Sequence, residues 1–215
     1  MRRLTRGLCS EMAIAHNMFI RGINALHAQA LAIEKEKVPA FTFFCKCLLE
    51  MIHLHHASEE ELLFPFYESK LGVGMMEGNV QQHDMFAAGL EDLEAYIKEV
   101  RAGRVKYSGE LVVKKLDSFT DALVEHLNLV CILHSALQEF WIKDSELILA
   151  MQEIPTLEAS KLRGAITKKE LKDLDAALGK RILKEVSLTT VLPLGLVLHD
   201  KSTAPQYVPE VIFDY

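Results

Sequence analysis

A chain of 215 residues, half of them hydrophobic and a quarter charged, suits one soluble domain with its own core rather than a stapled miniprotein or a disordered tail. A net charge of -6, with Lys and Arg only in short pairs, excludes the basic surface that a nucleic-acid partner needs. The four cysteines follow no disulfide or zinc spacing and read as reduced, and no long apolar run follows Arg2, Arg3 and Arg6. Neither signal peptide nor membrane span is therefore expected, and the protein reads as cytoplasmic.

Ser10 is placed to cap a first helix, with Glu11 in its first turn. Met12, Ile14, Phe19, Ile20 and Ile23 recur at helical spacing, and His16 lies on that stripe. The pattern stops after about 23 residues, at the charged turn before Pro39. A second helix starts near Pro39 or Ala40, where proline is tolerated in the first turn, and runs through Leu48, Leu49 and Ile52 to Pro65. Pro65 is expected to end or kink it, and residues 67–78, with three glycines, read as loop.

Asn79 and Gln82 have the spacing of a capping box for a third helix that carries His83, Phe86, Leu90, Leu93 and Ile97 and ends near Gly103. Ser108 caps a fourth, with Leu116, Phe119, Leu123, His126 and Leu133, whose pattern continues or restarts as far as Met151. Thr167 and Glu170 make another capping box, opening an amphipathic helix, and the apolar, proline-containing tail beyond Ser187 reads as irregular chain packed on the bundle. The expected fold is all-α: a single domain over 1–215, an up-down antiparallel four-helix bundle over about 10–152 with a C-terminal extension over 153–215.

The densest chemistry is in His55-His56-Ala57-Ser58-Glu59-Glu60-Glu61. Residues four apart share a helix face, so His55 can point with Glu59 and His56 with Glu60. By itself this is equally a solvated acidic helix end. Each of the four long helices, however, carries one histidine on its buried stripe: His16, His55, His83 and His126. Buried imidazoles and a buried carboxylate are costly unless they pair or coordinate something, and that ligand mix suits iron, manganese or zinc.

The run Glu11-Met12-Ala13-Ile14-Ala15-His16-Asn17 continuing into Ile20-Arg21-Gly22-Ile23-Asn24, then His55-x-x-x-Glu59 with Pro65, then Gln82-His83 and His126, resembles the hemerythrin-like (HHE) cation-binding family. The likeness is greatest to its fungal members, whose tail Leu192-Pro193 through His199-Asp200-Lys201 also resembles. The resemblance implies a metal site at the middle of the bundle, often non-haem di-iron. It assigns His16, His55, Glu59, His83 and His126 as ligands, with Pro65 setting the register to His55 rather than His56. It also implies two losses: Ala87 stands where a dioxygen carrier has a second histidine, and Leu129-Val130 where an acidic residue would bridge two metals. Five ligands imply one metal with an open position or a metal-free polar pocket. The two losses imply at most one tightly held ion, together with a pocket, apolar on that side, reaching from Glu59 toward Ala87 and Val130.

Two functions follow as expectations. The first is a small-molecule enzyme of fungal secondary metabolism, of oxygenase or isomerase/cyclase type, with Glu59, His55 and His126 catalytic and one metal ion or none. The second is an iron- or dioxygen-binding or metal-sensing protein without catalysis. A third possibility is a structural relic whose site is disused. The expected partner is a small molecule in the bundle core, with no nucleic acid and no membrane.

Overall fold

The computed structural model describes residues 2–139 and 167–185, with side chains described for most of 15–129 and for part of the second stretch. Among the described residues the structure is helical and contains no strand. The helices are α1 (Arg2–Ala30), α2 (Val38–Ser58), α3 (Phe64–Leu71), α4 (Glu77–Arg101), α5 (Gly109–Asp117), α6 (Thr120–Glu139) and α7 (Lys168–Glu185). A five-residue π segment, Glu59–Leu63, joins α2 to α3 without a break. α1 packs on α6 and α5, α4 packs on α6 and α2, and α2 closes the ring against α1. These are the four corners of the predicted bundle.

The core follows the apolar stripes. Phe19, Ile20 and Ile23 of α1 meet Leu48, Leu49 and Ile52 of α2, Leu90, Leu93 and Ile97 of α4, and Leu116, Phe119, Leu123 and Leu127 of the fourth corner. His16 precedes that core on α1 and His83 precedes it on α4, whereas His55 and His126 lie toward the C-terminal ends of their stripes. Alternate helices run in opposite directions, so these positions fall at one end of the core.

Several predicted boundaries move. α1 begins at Arg2 and is 29 residues long, so Ser10 lies inside the helix, where backbone partners have replaced the need for a cap. α4 begins at Glu77 after Met76, with no side-chain cap, so Asn79 and Gln82 do not form a capping box. The preceding loop is held instead by Glu68, whose carboxylate accepts from the amides of Gly74 and Met76 at 3.1 and 3.2 Å. That loop starts at Gly72, with φ of 120°, and residues up to Leu71 are helical rather than loop.

Pro65 does not stop the chain either. A proline has no N–H for the carbonyl one turn back and crowds it. Here the π segment widens the helix just before it, with the Phe64 N–H donating to the Glu59 carbonyl five residues back, and α3 continues with proline in its first turn.

The fourth corner is two helices, not one. Ser118 and Thr120 donate their hydroxyls to the Lys115 and Leu116 carbonyls at 2.7 Å each, competing with the backbone ladder where α5 gives way to α6. α4 passes this junction at Gly89, where a Cβ would come within 2.7 Å of the Phe119 Cβ. Ser108 caps α5 as predicted, accepting from the Leu111 amide at 3.2 Å, and the Thr167–Glu170 box opens α7. α7 lies against the π segment, with Lys70 donating to Glu170 at 2.5 Å and Arg181 paired with Glu61. The expected continuation to Met151 and the irregular tail after Ser187 fall outside the described residues.

Candidate metal centre

Glu59 is the hub. Its side chain is 2% exposed, at the point where α2 passes into the π segment. Oε1 faces His55 Nε2 at 3.5 Å, while Oε2 faces His83 Nε2 at 3.3 Å and His126 Nε2 at 3.6 Å. These contacts are ionic in range but poorly aligned, and neither oxygen accepts a well-formed hydrogen bond. Burial pushes the Glu59 carboxyl up, yet the charge of His55 and the contacts with His126 and His83 outweigh it and hold the group well below the usual carboxylate range.

All five residues predicted from sequence converge here, from four corners of the bundle. His16 Nε2 lies 2.9 Å from His55 Nε2, and His83 Nε2 lies 3.0 Å from His126 Nε2. The atoms sort into two groups that share Glu59: His16 with His55, and His83 with His126 and a residue outside the sequence-based set, His56. Within each group one potential ligand atom per residue lies within 4.8 Å of all the others.

The signal for His56 is present in the sequence. Each helical residue advances about 100°, so Glu59 falls about 40° past His55 and about 60° short of His56, between the two. Pairing His56 with Glu60 hides its equally close relation to Glu59 at three residues' spacing. Glu60 turns instead to His83, and Gln82, freed from a capping role, turns to His126; neither cross-helix contact has a local sequence signal.

These outer contacts fix the rings. The Nδ1–H of His16 donates to the Leu127 carbonyl at 2.9 Å, that of His83 to the Glu60 carboxylate at 2.5 Å, and that of His126 to the Gln82 side-chain oxygen at 3.1 Å. A neutral imidazole has one N–H, so all three rings present a lone pair at Nε2. Between His16 and His55 one N–H can still be shared. Between His83 and His126 two lone pairs oppose each other beside a carboxylate oxygen, an arrangement that calls for a cation.

A proton on His83 is one such cation: burial pulls that ring down, but contacts with Glu59 and Glu60 prevail and raise it. His126 moves the other way, lowered chiefly by burial. A single proton does not account for His56, which is 6% exposed with both ring nitrogens buried and unpartnered. The donor set of imidazoles around a carboxylate, with orphaned buried nitrogen and oxygen atoms, fits a first-row divalent ion. Phe64 and Phe86 pack at a tilt against His83, and Phe19 lies edge-on to His55, forming an apolar wall.

Ala87, one turn after His83 on α4, is half-buried, and Val130 follows His126 on α6, its side chain lying outside those described. Cys45 and Cys47 are buried thiols, and burial raises the Cys45 thiol. Among the described residues no helix is long and apolar enough to cross a membrane.

A helical bundle whose core histidines surround one carboxylate defines a class: the cation-binding bundles. The hemerythrin HHE cation binding domain model matches residues 10–129, and the chain belongs to that family. It is 32% identical over 123 residues to the "Dimeric xanthone biosynthesis cluster protein R11" of Cryptosporiopsis sp. (strain 8999), a match covering 56% of this chain. The match spans 46% of that relative's length, so less than half of it is represented here. No solved structure matches the chain.

Proposed function

We propose that this protein is a non-haem metal-dependent enzyme acting on a small organic molecule in secondary metabolism. The observation that carries the reading is the placement of Glu59, a fully buried carboxylate with two unsatisfied oxygens between two groups of histidines. The relative's name, which places that protein with a xanthone biosynthesis cluster, supports a small aromatic or polyketide-like substrate class.

In this reading His16, His55, Glu59, His83 and His126 hold the metal, a mixed imidazole and carboxylate set that suits iron, manganese or zinc. The bound ion supplies Lewis acidity and, if redox-active, access to dioxygen chemistry. The chain's own residues do the rest. Glu59, held ionised between the two histidine groups, supplies the anionic ligand, and His83 turns its Nε2 lone pair toward it. His55 and His126 flank Glu59, with their Nε2 atoms 3.5 and 3.6 Å from its oxygens. Leu127, Glu60 and Gln82 keep the rings oriented, and Phe19, Phe64 and Phe86 exclude water from one side.

The test is genetic and chemical. The wild-type chain or a Glu59→Ala variant is returned to a source strain lacking its own copy, and the small-molecule extracts are compared. The reading requires a secondary metabolite restored by the wild type and not by the variant. Extracts unchanged by loss of the gene overturn the enzyme and favour a metal or dioxygen sensor, whose output is a partner's state.

A further inference from the structure

We propose that His56 is itself a metal ligand, completing a cation position with Glu59, His83 and His126 that is separate from the His16, His55 and Glu59 group. This rests on the reading of the cluster as a metal centre and names a ligand that the five-residue set leaves out.

Three observations carry it. First, neither nitrogen of His56 has a partner, although an imidazole always has one N–H to donate and, when neutral, one lone pair to offer. An unpaired buried polar group is destabilising, and here a single ring concentrates two. Coordination through either nitrogen accounts for the lone pair and leaves only an N–H to place.

Second, the ring is aimed into the cluster rather than stored in the apolar core. Its centroid is 4.6 Å from that of His83 and 5.1 Å from that of His126, with Phe86 at 4.8 Å closing the other side. Four potential ligand atoms, one each from His56, Glu59, His83 and His126, lie within 4.8 Å of one another. Ligands on one first-row ion are separated by at most about 4 Å, so a small inward movement of the rings suffices.

Third, the neighbours are already committed outward. His83 and His126 donate their Nδ1–H groups to Glu60 and Gln82, so both direct a lone pair inward, and Glu59 Oε2 faces the same point. Two imidazoles and a carboxylate oxygen leave a tetrahedral ion one protein ligand short of four, and His56 supplies it. Glu59 Oε1 remains directed at His55, so the carboxylate serves both positions.

The experiment titrates metal-free wild type, His56→Leu and His56→Cys with Co(II) and records the absorption spectrum. His56→Leu should weaken cobalt binding at least tenfold or remove one equivalent. The His56→Cys chain should gain a thiolate-to-cobalt charge-transfer band that the wild type, with Cys45 and Cys47 in place, lacks. A merely structural role for residue 56 cannot produce that band, and the signal remains readable if the leucine variant does not fold. Cobalt binding by the wild type with no band in His56→Cys overturns this inference and leaves the metal centre standing. A wild type that takes up no cobalt overturns both.

Discussion

His83 and His126 present their Nε2 atoms to each other at 3.0 Å, and the opposite nitrogen of each ring is already donating outward, to Glu60 and to Gln82. The two contacts differ in kind. Glu60 brings a carboxylate that raises the His83 ring, whereas Gln82 offers only a neutral oxygen. A carboxylate behind a ligand histidine raises its basicity and fixes its tautomer.

Glu60→Ala should therefore weaken metal binding by about 10–100-fold without unfolding the bundle, because the Glu60 side chain is largely at the surface. Competition against a chelator, with cobalt as the reporting metal, measures this. An affinity equal to wild type would mean that Glu60 is only a surface charge.

The bundle and most of its site are legible in the sequence, for a physical reason. His16, His83 and His126 lie on the same helical stripes as Phe19, Phe86 and Leu123, so the periodicity that marks the core also marks what is buried with it. His56 escapes that reading because the site takes both neighbours of Glu59, at three and at four residues' spacing, where a single partner is the simpler assignment. With His56 in the second group, the residues that could hold a metal number six, one more than the five behind the one-metal expectation. The π segment has no such signal: Pro65 predicts a disturbance, but whether the chain stops or widens depends on tertiary packing. The break before α6 is hidden likewise, since nothing in the sequence shows that Ser118 and Thr120 bond backward to carbonyls of α5.

Close approach at one glycine gives a stability prediction. A Cβ on Gly109 would sit 2.0 Å from the Ala30 carbonyl oxygen, which also accepts the Tyr107 hydroxyl at 2.7 Å. Alanine gains up to about 1 kcal/mol of helix propensity, but overpacking against backbone costs about 1–3 kcal/mol and should win. Gly109→Ala should lower the midpoint of urea unfolding; a raised midpoint would show that α1 and α5 are not held this closely.

The docking of α7 should be acid-sensitive. Lys70 and the Thr167 amide and hydroxyl hold the Glu170 carboxyl down to about 2, from an ordinary value of 4.5. A lowered folded value means that the stabilisation is fully present above 4.5 and is lost as pH falls through about 2. Glu170 is exposed, so the effect is local rather than global. Carboxyl NMR should find Glu170 titrating far below its neighbours, and Lys70→Ala should move it upward. A value unmoved by that substitution would remove the ion pair as the cause.

The most direct measurement is elemental analysis of protein purified without chelator or affinity metal, with wild type and Glu59→Ala side by side. Both histidine groups meet at Glu59, so its loss should disable both. The expected result is at least one equivalent of iron, manganese or zinc in the wild type, and only traces in a Glu59→Ala chain that keeps its helical circular dichroism. Added metal should raise the melting temperature of the wild type alone. Metal-free wild type whose melting does not respond to added metal, or a variant that keeps the full metal content, would contradict the claim that Glu59 organises a metal centre.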